Sequence, residues 1–480
     1  MSQEKIDPGQ LSQSLAENTV VTPDSAAPRL FGTDGIRGTS NKFPMTPETV
    51  VRVGQAMGYI LRKTTRRRGQ DPMVLIGKDT RLSGYMLEQA LSSGLNSMGV
   101  RVQLVGPLPT PGIGYLAQNM RADAGIVISA SHNAYLDNGI KIFGPDGFKI
   151  SDRMERQIET LVYNHEELSS KLVESKSIGR TRRIDDSMGR YVVFAKNTFP
   201  LDLTLDGFRI VLDCANGAAY KVAPAIFEEL GAEVIVLGNA PNGFNINDKT
   251  GALYPNKTCE AVLKYRADVG ISLDGDADRV IMVDETGNLI NGDHILAICA
   301  IHLKKLGKLN NDVVVATQMS NYGLDQCLSQ HGIRVERTDV GDKHVVECMR
   351  KNNYVLGGEQ SGHIIFLDHS TTGDGCVAAL NMLAVALREK KRLSELNEVM
   401  QDMPQVLINT RVKERVPFDQ IEGFDRIMKE VETALDGKGR IFVRYSGTEP
   451  LVRVLVEGPS QREIASYADT VADFLQKELG

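Results

Sequence analysis

The stretch "MVLIGKDTR" (73–81) decides the fold class, because it is an apolar run that ends in a polar loop. A helical stretch follows it, and after this come Gly99 and a second apolar run, "GVRVQLVG" (99–106). A strand, a helix that ends at a glycine and a second strand make up the βαβ unit, in which the two strands are parallel and covered by helices. This segment therefore predicts an α/β fold.

The same order of elements occurs twice more along the chain. The second copy pairs "RIVLDCANGA" (209–218) with "GAEVIVLG" (231–238), and the third pairs "VVVATQMSN" (313–321) with "GIRVERTDVG" (332–341). Copies about 100 or more residues apart indicate repeated domains, since a solenoid repeats about every 20–50 residues. We therefore predict three related α/β domains.

The C-terminal part has a different pattern. From about Gln405 the order is strand, helix, two strands that form a hairpin, and a final helix, "EIASYADTVADFLQKEL" (463–479). This α+β order predicts a separate fourth domain. The N-terminus is polar, contains prolines and lacks the apolar core of a signal peptide, so we expect a disordered extension there. The predicted parts are this extension over residues 1–28 and domains over residues 29–189, 190–292, 293–402 and 403–480.

Composition narrows the class of protein. The 480 residues carry a formal net charge of −6, which argues against a general electrostatic role on nucleic acid or on an anionic membrane. No window approaches the roughly 18 consecutive apolar residues of a membrane span. The six cysteines are dispersed and include no CxxC pair, which is typical of reduced thiols in a cytoplasm. We therefore expect a cytoplasmic monomer or homodimer without a nucleic-acid or membrane partner.

The stretch "VISASHNAYLDNG" (127–139) places Ser131 at the end of a predicted strand, where parallel α/β domains bind ligands. A serine hydroxyl is a poor nucleophile unless a base or a metal activates it. The neighbouring His132 is either that base or a structural residue. Lys141, on the next strand, is a proton donor or a phosphate contact. An asparagine-rich turn without function remains the alternative.

The strongest single signal is "DVGISLDGDADRVIMVD" (268–284). Asp274, Asp276 and Asp278 alternate with small residues after an apolar strand, so their carboxylates can converge on one Mg²⁺ or Ca²⁺ ion. An EF-hand would need glycine where Arg279 stands, and its flanks would be helices rather than strands. Three like charges so close together repel each other without a cation. The triplet therefore predicts a metal site.

Two further loops suggest contacts with a phosphorylated sugar. In "FGTDGIRG" (31–38), three glycines allow close backbone approach and Arg37 offers a planar cation for phosphate, although a structural turn is the alternative. In "GGEQSGHIIF" (357–366), Glu359, Ser361 and His363 alternate before a strand and can project on one side. This spacing suits sugar hydroxyls or an amine, and a polar strand edge is the alternative.

A fifth loop, "RYSGTEPLVRVLVEG" (444–458), lies in the fourth domain and has the composition of a phosphate cradle. Its candidate residues are Arg444, Ser446, Gly447, Thr448 and Arg453. Taken together, the five loops offer a displayed serine, a divalent-cation site, sugar contacts and a distant phosphate anchor. The reaction that these groups can support is phosphoryl transfer on a phosphosugar.

The ordered set "FGTDGIRG", "ISASHN", "LDGDADR", "GGEQSGH" and "RYSGTEP" resembles the α-D-phosphohexomutase superfamily and, within it, the branch that acts on glucosamine phosphate. The resemblance runs from about Arg29 to the C-terminus. It implies three α/β domains with mixed sheets and a C-terminal α+β domain around a central cleft. It also implies that Ser131 is carried as phosphoserine, with one Mg²⁺ per subunit held by the three aspartates and a phosphoserine oxygen.

The resemblance further implies the reaction and the residue roles. The phosphoryl group passes from Ser131 to glucosamine 6-phosphate, and the 1,6-bisphosphate, which is an intermediate or a primer, turns over in the cleft. Glucosamine 1-phosphate, a precursor of UDP-N-acetylglucosamine, is the product. The residues implied around the reacting phosphoryl are Arg37, Lys141 and Arg279, with Lys141 as the preferred acid or base. Those implied for substrate binding are His132, Lys343, Glu359, Ser361, His363, Arg444, Ser446, Gly447, Thr448 and Arg453.

The sequence departs from the superfamily pattern at several positions. Ala134 stands in place of a common proline, Ala277 in place of a glycine and Lys343 in place of an arginine, and "KTGAL" (249–253) also differs. The first change leaves the serine loop without a ring that restricts φ. Three alternatives stay open: the same mechanism on glucose or mannose phosphates, a metal-dependent phosphosugar phosphatase, and a non-catalytic sugar-phosphate sensor.

Overall fold

The structure is a computed structural model that describes residues 28–65, 71–446 and 450–480. The predicted disordered extension lies outside the described residues except for Pro28, and Gly447 and Thr448 of the phosphate cradle lie outside them too. The described part contains fifteen α-helices and nineteen strands, which form four sheets. Among these helices, none is both long and apolar enough to cross a membrane.

The first sheet is mixed and has seven strands. They are β1 (Phe31–Gly32), β2 (Gly35–Thr39), β3 (Met73–Lys78), β4 (Arg101–Pro107), β5 (Ala124–Ile128), β6 (Asp137–Phe143) and β7 (Thr181–Arg183). Their order is β1-β2-β6-β5-β3-β4-β7, in which β5, β3, β4 and β7 are parallel. Every residue of β3 is buried, which explains its continuous apolar run. The helices of this part are α1 (Pro47–Thr64), α2 (Ser83–Ser97), α3 (Thr110–Asn119), α4 (Asp152–Tyr163), α5 (His165–Ser169) and α6 (Ser187–Lys196).

The second and third sheets repeat the parallel pairs predicted from the sequence. The second contains β8 (Arg209–Asp213), β9 (Glu233–Leu237), β10 (Val269–Leu273), β11 (Val280–Asp284) and β12 (Leu289–Ile290), with helices α7 (Val222–Glu228) and α8 (Asn256–Tyr265). The third contains β13 (Val313–Thr317), β14 (Arg334–Thr338), β15 (Leu356–Gly358) and β16 (Ile364–Phe366), with helices α9 (Gly292–Lys305), α10 (Tyr322–Gln330), α11 (Asp342–Asn352), α12 (Gly375–Glu389) and α13 (Leu393–Asn397). Their orders are β12-β11-β10-β8-β9 and β14-β13-β15-β16. Strand β8 is parallel to β9 and β10, and β13 is parallel to β14 and β15. The predicted α/β class with mixed sheets is confirmed.

The C-terminal part is an antiparallel sheet covered by helices. Its elements are β17 (Gln405–Arg411), α14 (Phe424–Leu435), β18 (Arg440–Tyr445), β19 (Leu451–Glu457) and α15 (Gln461–Leu479). The strand order is β17-β19-β18. Helix α15 buries Ile464, Ala468, Val471 and Leu475, whose spacing of three or four residues makes one apolar face. This is the α+β order predicted from the sequence.

The first three parts share one hydrophobic core, which runs from Leu75 through Leu273 to Val314, whereas the C-terminal part forms another buried cluster. Hydrogen bonds join the two bodies, for example from Arg440 to the carbonyl of Ser320, at 2.6 Å. Helix α6 spans position 189, where we placed a domain boundary, so the division into 29–189 and 190–292 stays a prediction.

Candidate active site

The serine loop and the acidic loop meet across two domains. Ser131 follows β5 of the first sheet, and Asp274 follows β10 of the second. The Ser131 hydroxyl donates to Asp274 Oδ2 at 2.6 Å, and both side chains are buried. Ser131 has a φ of 51°, a left-handed conformation that few residues other than glycine adopt, so its hydroxyl is held by an unusual turn. The candidate nucleophile therefore lies directly on the acidic loop.

The three aspartates of the acidic loop can share one cation. Asp274, Asp276 and Asp278 are buried, and one oxygen from each lies within 4.8 Å of the others. Asp276 Oδ2 accepts from the hydroxyl of Thr110 at 2.6 Å. Its Oδ1 atom is also buried and has no hydrogen-bond partner among the described residues. A set of hard oxygen donors with a free, buried oxygen fits a divalent cation of the Mg²⁺ or Ca²⁺ type.

Lys141, on β6, is held by three carboxylates. Its ammonium lies 2.9 Å from Asp276, 3.1 Å from Asp278 and 3.0 Å from Asp34. Burial works against its charge, but these three carboxylates raise the pKa of Lys141 well above its usual value. Burial and the charges of Asp278 and Asp276 raise the pKa of Asp274. Lys141 thus carries a positive charge beside the acidic loop in this geometry.

Two arginines approach the same point, and His132 fixes one of them. Arg279 NH1 lies 2.6 Å from His132 Nδ1, and because a guanidinium can only donate, the imidazole nitrogen must accept. Burial and the charges of Arg279 and Arg37 lower the pKa of His132 to about 4, so its ring is neutral. The same Nδ1 lies 3.4 Å from the Ser131 hydroxyl, farther than Asp274 does. This geometry favours the structural interpretation of His132 over a role as the base for Ser131.

The loop between β15 and β16 divides its three candidate residues between two environments. Glu359 accepts from the backbone amide of Gly341 at 3.1 Å and from the exposed Ser361 hydroxyl at 3.3 Å. His363 is buried instead, 3.8 Å from Asp278. The segment is a tight turn in which Gly362 has a φ of 93°, rather than the extended strand that strict alternation assumed. That all three project on one side stays a prediction, with His363 buried and Ser361 exposed.

Lys343, in the third domain, forms ion pairs with the first domain. Its ammonium pairs with Asp152 and lies 3.6 Å from Glu155, both on α4 of the first domain. It does not contact Glu359 among the hydrogen bonds and ion pairs of the described residues. The loop that carries it still reaches the sugar-type residues, because Gly341 binds Glu359. The predicted role of Lys343 in substrate binding rests on the position of this loop.

The C-terminal domain brings two like charges face to face. Arg444 on β18 and Arg453 on β19 are direct cross-strand partners. Burial, and then the charge of Arg453, lower the pKa of Arg444. Like charges directly opposite each other are unfavourable in a sheet, so this pair is typical of a site that binds an anion. Ser446 is buried beside them, and the other two predicted residues of the cradle lie outside the described residues.

Several groups at the site were not predicted. Asp34 contacts Arg37, Lys141 and Lys149, and Thr110 contacts Asp276. Asp34 lies inside the quoted stretch "FGTDGIRG", so its position between glycines was an available signal. Thr110 begins a helix of the first domain and reaches the acidic loop only through domain packing, and no local pattern identifies it.

Four family models match the chain in succession. They are the phosphoglucomutase/phosphomannomutase alpha/beta/alpha domains I (residues 28–169), II (190–287) and III (291–403), and the C-terminal domain (382–474). Phosphoglucosamine mutase of Bdellovibrio bacteriovorus is 65% identical over 452 residues, which are 94% of this chain and 99% of that protein. The chain belongs to the phosphoglucosamine mutase family of phosphohexomutases. A second member, from Pelobacter propionicus, is 54% identical over the same shares. Enzymes of this family are intramolecular phosphotransferases of the isomerase class, and this chain is one of them.

Solved structures show the same fold at low identity. A phosphoglucomutase/phosphomannomutase family protein from Burkholderia thailandensis has a TM-score of 0.76 at 22% identity, over 94% of this chain and 97% of that one. N-acetylphosphoglucosamine mutase of Aspergillus fumigatus, solved with GlcNAc-6P and magnesium, has a TM-score of 0.65 at 17% identity, over 99% of this chain and all of that one. The predicted phosphohexomutase fold is confirmed.

Proposed function

We propose that this enzyme interconverts glucosamine 6-phosphate and glucosamine 1-phosphate, with Ser131 as the carrier of the phosphoryl group. The observation that carries the proposal is the 2.6 Å contact between the Ser131 hydroxyl and Asp274 of the aspartate triplet. The choice of amino sugar is supported by curated relatives that are 53–65% identical over 94–95% of the chain and are named phosphoglucosamine mutase.

The aspartate triplet would hold one Mg²⁺, with a phosphoserine oxygen as a further ligand. When bound, Mg²⁺ would neutralise the charge that spreads over the equatorial oxygens of the transferring phosphoryl group. An all-oxygen set of carboxylates is the kind of site that this ion takes. Phosphoryl transfer needs little covalent chemistry from a protein, so most of the catalysis must come from position and charge.

The chain supplies that charge from three cations around Ser131, which are Arg37, Lys141 and Arg279. In the first half-reaction, the bond between Ser131 Oγ and phosphorus breaks as the 1-hydroxyl oxygen of glucosamine 6-phosphate bonds to phosphorus. The proton that the sugar hydroxyl loses is balanced by the proton that Ser131 Oγ gains, and the ammonium of Lys141 is our candidate for the acid that donates to Oγ and is then reprotonated by the proton from the sugar. In the second half-reaction, Ser131 Oγ accepts the 6-phosphoryl group and glucosamine 1-phosphate remains.

The other predicted residues would bind the parts of the sugar that do not react. Glu359 and Ser361 offer a carboxylate and a hydroxyl for the amine and hydroxyls, with His132, Lys343 and His363 as neighbours that shape the pocket. The non-transferring phosphate would bind in the cradle of Arg444, Ser446, Gly447, Thr448 and Arg453. Because one serine both gives and takes the phosphoryl group, the 1,6-bisphosphate must reverse in the cleft between the two steps. The same bisphosphate would serve as a primer for unphosphorylated Ser131.

The test is peptide mass spectrometry of the purified protein combined with a Mg²⁺-dependent assay on glucosamine 6-phosphate. We expect phosphate on the Ser131 peptide, formation of glucosamine 1-phosphate, and neither in Ser131→Ala. Parallel assays on glucose and mannose phosphates test the sugar preference. Activity on those two sugars alone would keep the mechanism and refute the substrate. Release of inorganic phosphate without isomerisation would indicate a phosphatase, and a Ser131 that stays unmodified and inactive with a bisphosphate primer would refute the mutase.

We further propose that the enzyme works in the cytoplasm, where its product would feed UDP-N-acetylglucosamine synthesis. The dispersed, unpaired cysteines support a reducing compartment. Light scattering of the purified protein would decide between a monomer and a homodimer.

A further inference from the structure

We infer that Arg81 and Asn247 are positioning residues that fix the backbone of Ser131 for phosphoryl transfer. The inference deepens the proposed function and rests on it. Arg81 lies in the loop after β3 of the first domain, and Asn247 lies in the second domain between β9 and α8. Both side chains are buried, and neither contacts the aspartate triplet among the described hydrogen bonds and ion pairs.

Both residues bind the same two carbonyl oxygens of the serine loop. Arg81 NH2 donates to the carbonyl of Ser131 at 3.1 Å and to that of Asn133 at 2.5 Å. Asn247 Nδ2 donates to the same oxygens, at 2.9 Å and 3.1 Å. The carbonyl oxygens of Ser131 and Asn133 therefore each accept two hydrogen bonds, one from a side chain of the first domain and one from a side chain of the second. A main-chain turn in a favourable conformation does not require four side-chain hydrogen bonds to two of its carbonyl oxygens. We therefore infer that these hydrogen bonds hold the turn in a conformation that it would not adopt alone.

The amide of Ser131 is fixed as well. It donates to Ser129 Oγ at 2.9 Å, and Ser129 in turn lies beside Asp79. Asp79 also binds Arg81, through both the backbone amide at 3.0 Å and the guanidinium. Side chains thus hold the backbone of Ser131 on both sides of its Cα atom. The contacts run from the Ser131 amide through Ser129 and Asp79 to Arg81, and Arg81 in turn binds the Ser131 carbonyl.

The contacts of Arg81 and Asn247 stabilise a backbone conformation that is unusual for serine. Ser131 occupies the left-handed region, with a φ of 51°, where a residue with a side chain is strained. Ala134 stands three residues later, so no proline ring limits φ in this part of the loop. Strained backbone persists only where surrounding structure determines it, and it orients functional groups in many active sites. The contacts of Arg81 and Asn247 supply that determination and direct Oγ towards Asp274.

The test compares Asn247→Gly and Arg81→Lys with Thr80→Val as the control. Asn247 has a φ of 58°, so glycine keeps its conformation and removes only the amide. Lysine keeps a cation beside Asp79 but loses the planar fork. Thr80, in the same loop, donates to the carbonyl of Asn216 in the second domain at 2.5 Å and does not touch Ser131. Valine at this position removes an interdomain hydrogen bond alone.

Two readouts separate positioning from stability. Single-turnover transfer from phosphorylated Ser131 to glucosamine 6-phosphate should slow by about 10–100-fold in both variants, with KM within about twofold, because small misplacements of reacting groups cost rate rather than binding. Hydrogen exchange of the Ser131 peptide should be faster than in the wild type. Thr80→Val should match the wild type in both readouts.

Each outcome decides between the alternatives. Wild-type transfer and exchange in Asn247→Gly would overturn the inference even if Arg81→Lys fails to fold. A rise in KM without a change in single-turnover rate would make the two residues substrate contacts and would also overturn it. If Ser131 of the wild type stays unmodified and inactive even with a bisphosphate primer, the proposed function fails, and the exchange measurement still decides whether Arg81 and Asn247 hold the backbone of Ser131.

Discussion

The ammonium group of Lys149 contacts the carboxylate of Asp342, which joins the first domain to the third behind the acidic loop. Lys149 also contacts Asp34, which in turn binds Lys141 and Arg37. A single lysine thus connects the turn before β2, which carries Asp34, to the loop whose Gly341 binds Glu359. The alignment of these loops from two domains depends on charges that lie mostly away from solvent.

Replacing Lys149 with methionine should destabilise the protein by about 3 kcal/mol at neutral pH, because it removes the cation that lies between the carboxylates of Asp34 and Asp342. Burial alone would raise the pKa of Asp34, but Lys141 and then Lys149 hold it well below its usual value. Asp34 therefore contributes stability above the unfolded pKa of about 4, and this contribution is lost as the pH falls through the lower folded pKa. The difference between variant and wild type should shrink in acid. Urea midpoints at pH 7.5 and at about pH 3, below the unfolded pKa, measure it.

Lys176→Met is the control for this variant. Lys176 pairs with Glu174, and both side chains are about four-fifths exposed. Exposed pairs contribute little to stability, so its urea midpoint should match that of the wild type at both values of pH. Equal effects of the two substitutions would contradict a special role for Lys149.

Gly275→Ala should abolish most mutase activity. A Cβ atom at this position would lie 2.6 Å from the carbonyl oxygen of Ser131 and 2.8 Å from Asn247 Nδ2. The acidic loop and the serine loop would have to separate, and a displacement of about 1 Å costs on the order of 100-fold in rate. Steady-state kinetics on glucosamine 6-phosphate measure the loss. Gly189→Ala is the control, because it meets no atom within 4 Å and lies in α6, where alanine should stabilise the helix by up to about 1 kcal/mol.

Removing one carboxylate of the triplet should remove the stabilisation that Mg²⁺ provides. A cation that binds only the folded chain raises its melting temperature with concentration. We expect this rise in the wild type, its reversal by EDTA, and its absence in Asp276→Asn. Asp268→Asn, just before β10 at the opposite end of the strand, should keep the response. A Mg²⁺-dependent shift that survives in Asp276→Asn would locate the cation elsewhere.

Arg444→Gln should weaken substrate binding without loss of stability. One charge-assisted contact to phosphate contributes about 1.5–3 kcal/mol, so KM should rise by roughly 10–100-fold. Removal of a cation that faces Arg453 relieves repulsion, so the melting temperature should stay equal or rise. Arg426→Gln, an exposed residue paired with Glu430 in the same domain, is the control. A lower melting temperature with an unchanged KM would indicate a purely structural arginine.

Local patterns were sufficient wherever one element determines the feature. The helix predicted after the first strand of the fourth domain is α14, Phe424–Leu435, and the alternating aspartates form one cluster because a single loop places them. The contacts of Thr110 with Asp276 and of Lys149 with Asp342 escaped prediction, since domain packing brings these distant residues together. The burial of His363 beside Asp278 was not predicted either, because a turn at Gly362 interrupts the alternation that a strand would keep.

The division of the hydrophobic core has a consequence for a ligand with phosphate at both ends. The reacting groups belong to the body formed by the first three domains, whereas Arg444 and Arg453 belong to the separately packed C-terminal body. In the proposed reaction, the bisphosphate would have to leave one body before it could reverse and bind both again. We therefore expect contacts such as that of Arg440 with Ser320 to influence how well the enzyme retains the proposed bisphosphate. If the two bodies separate too readily, the bisphosphate would be lost to solvent and Ser131 would remain unphosphorylated.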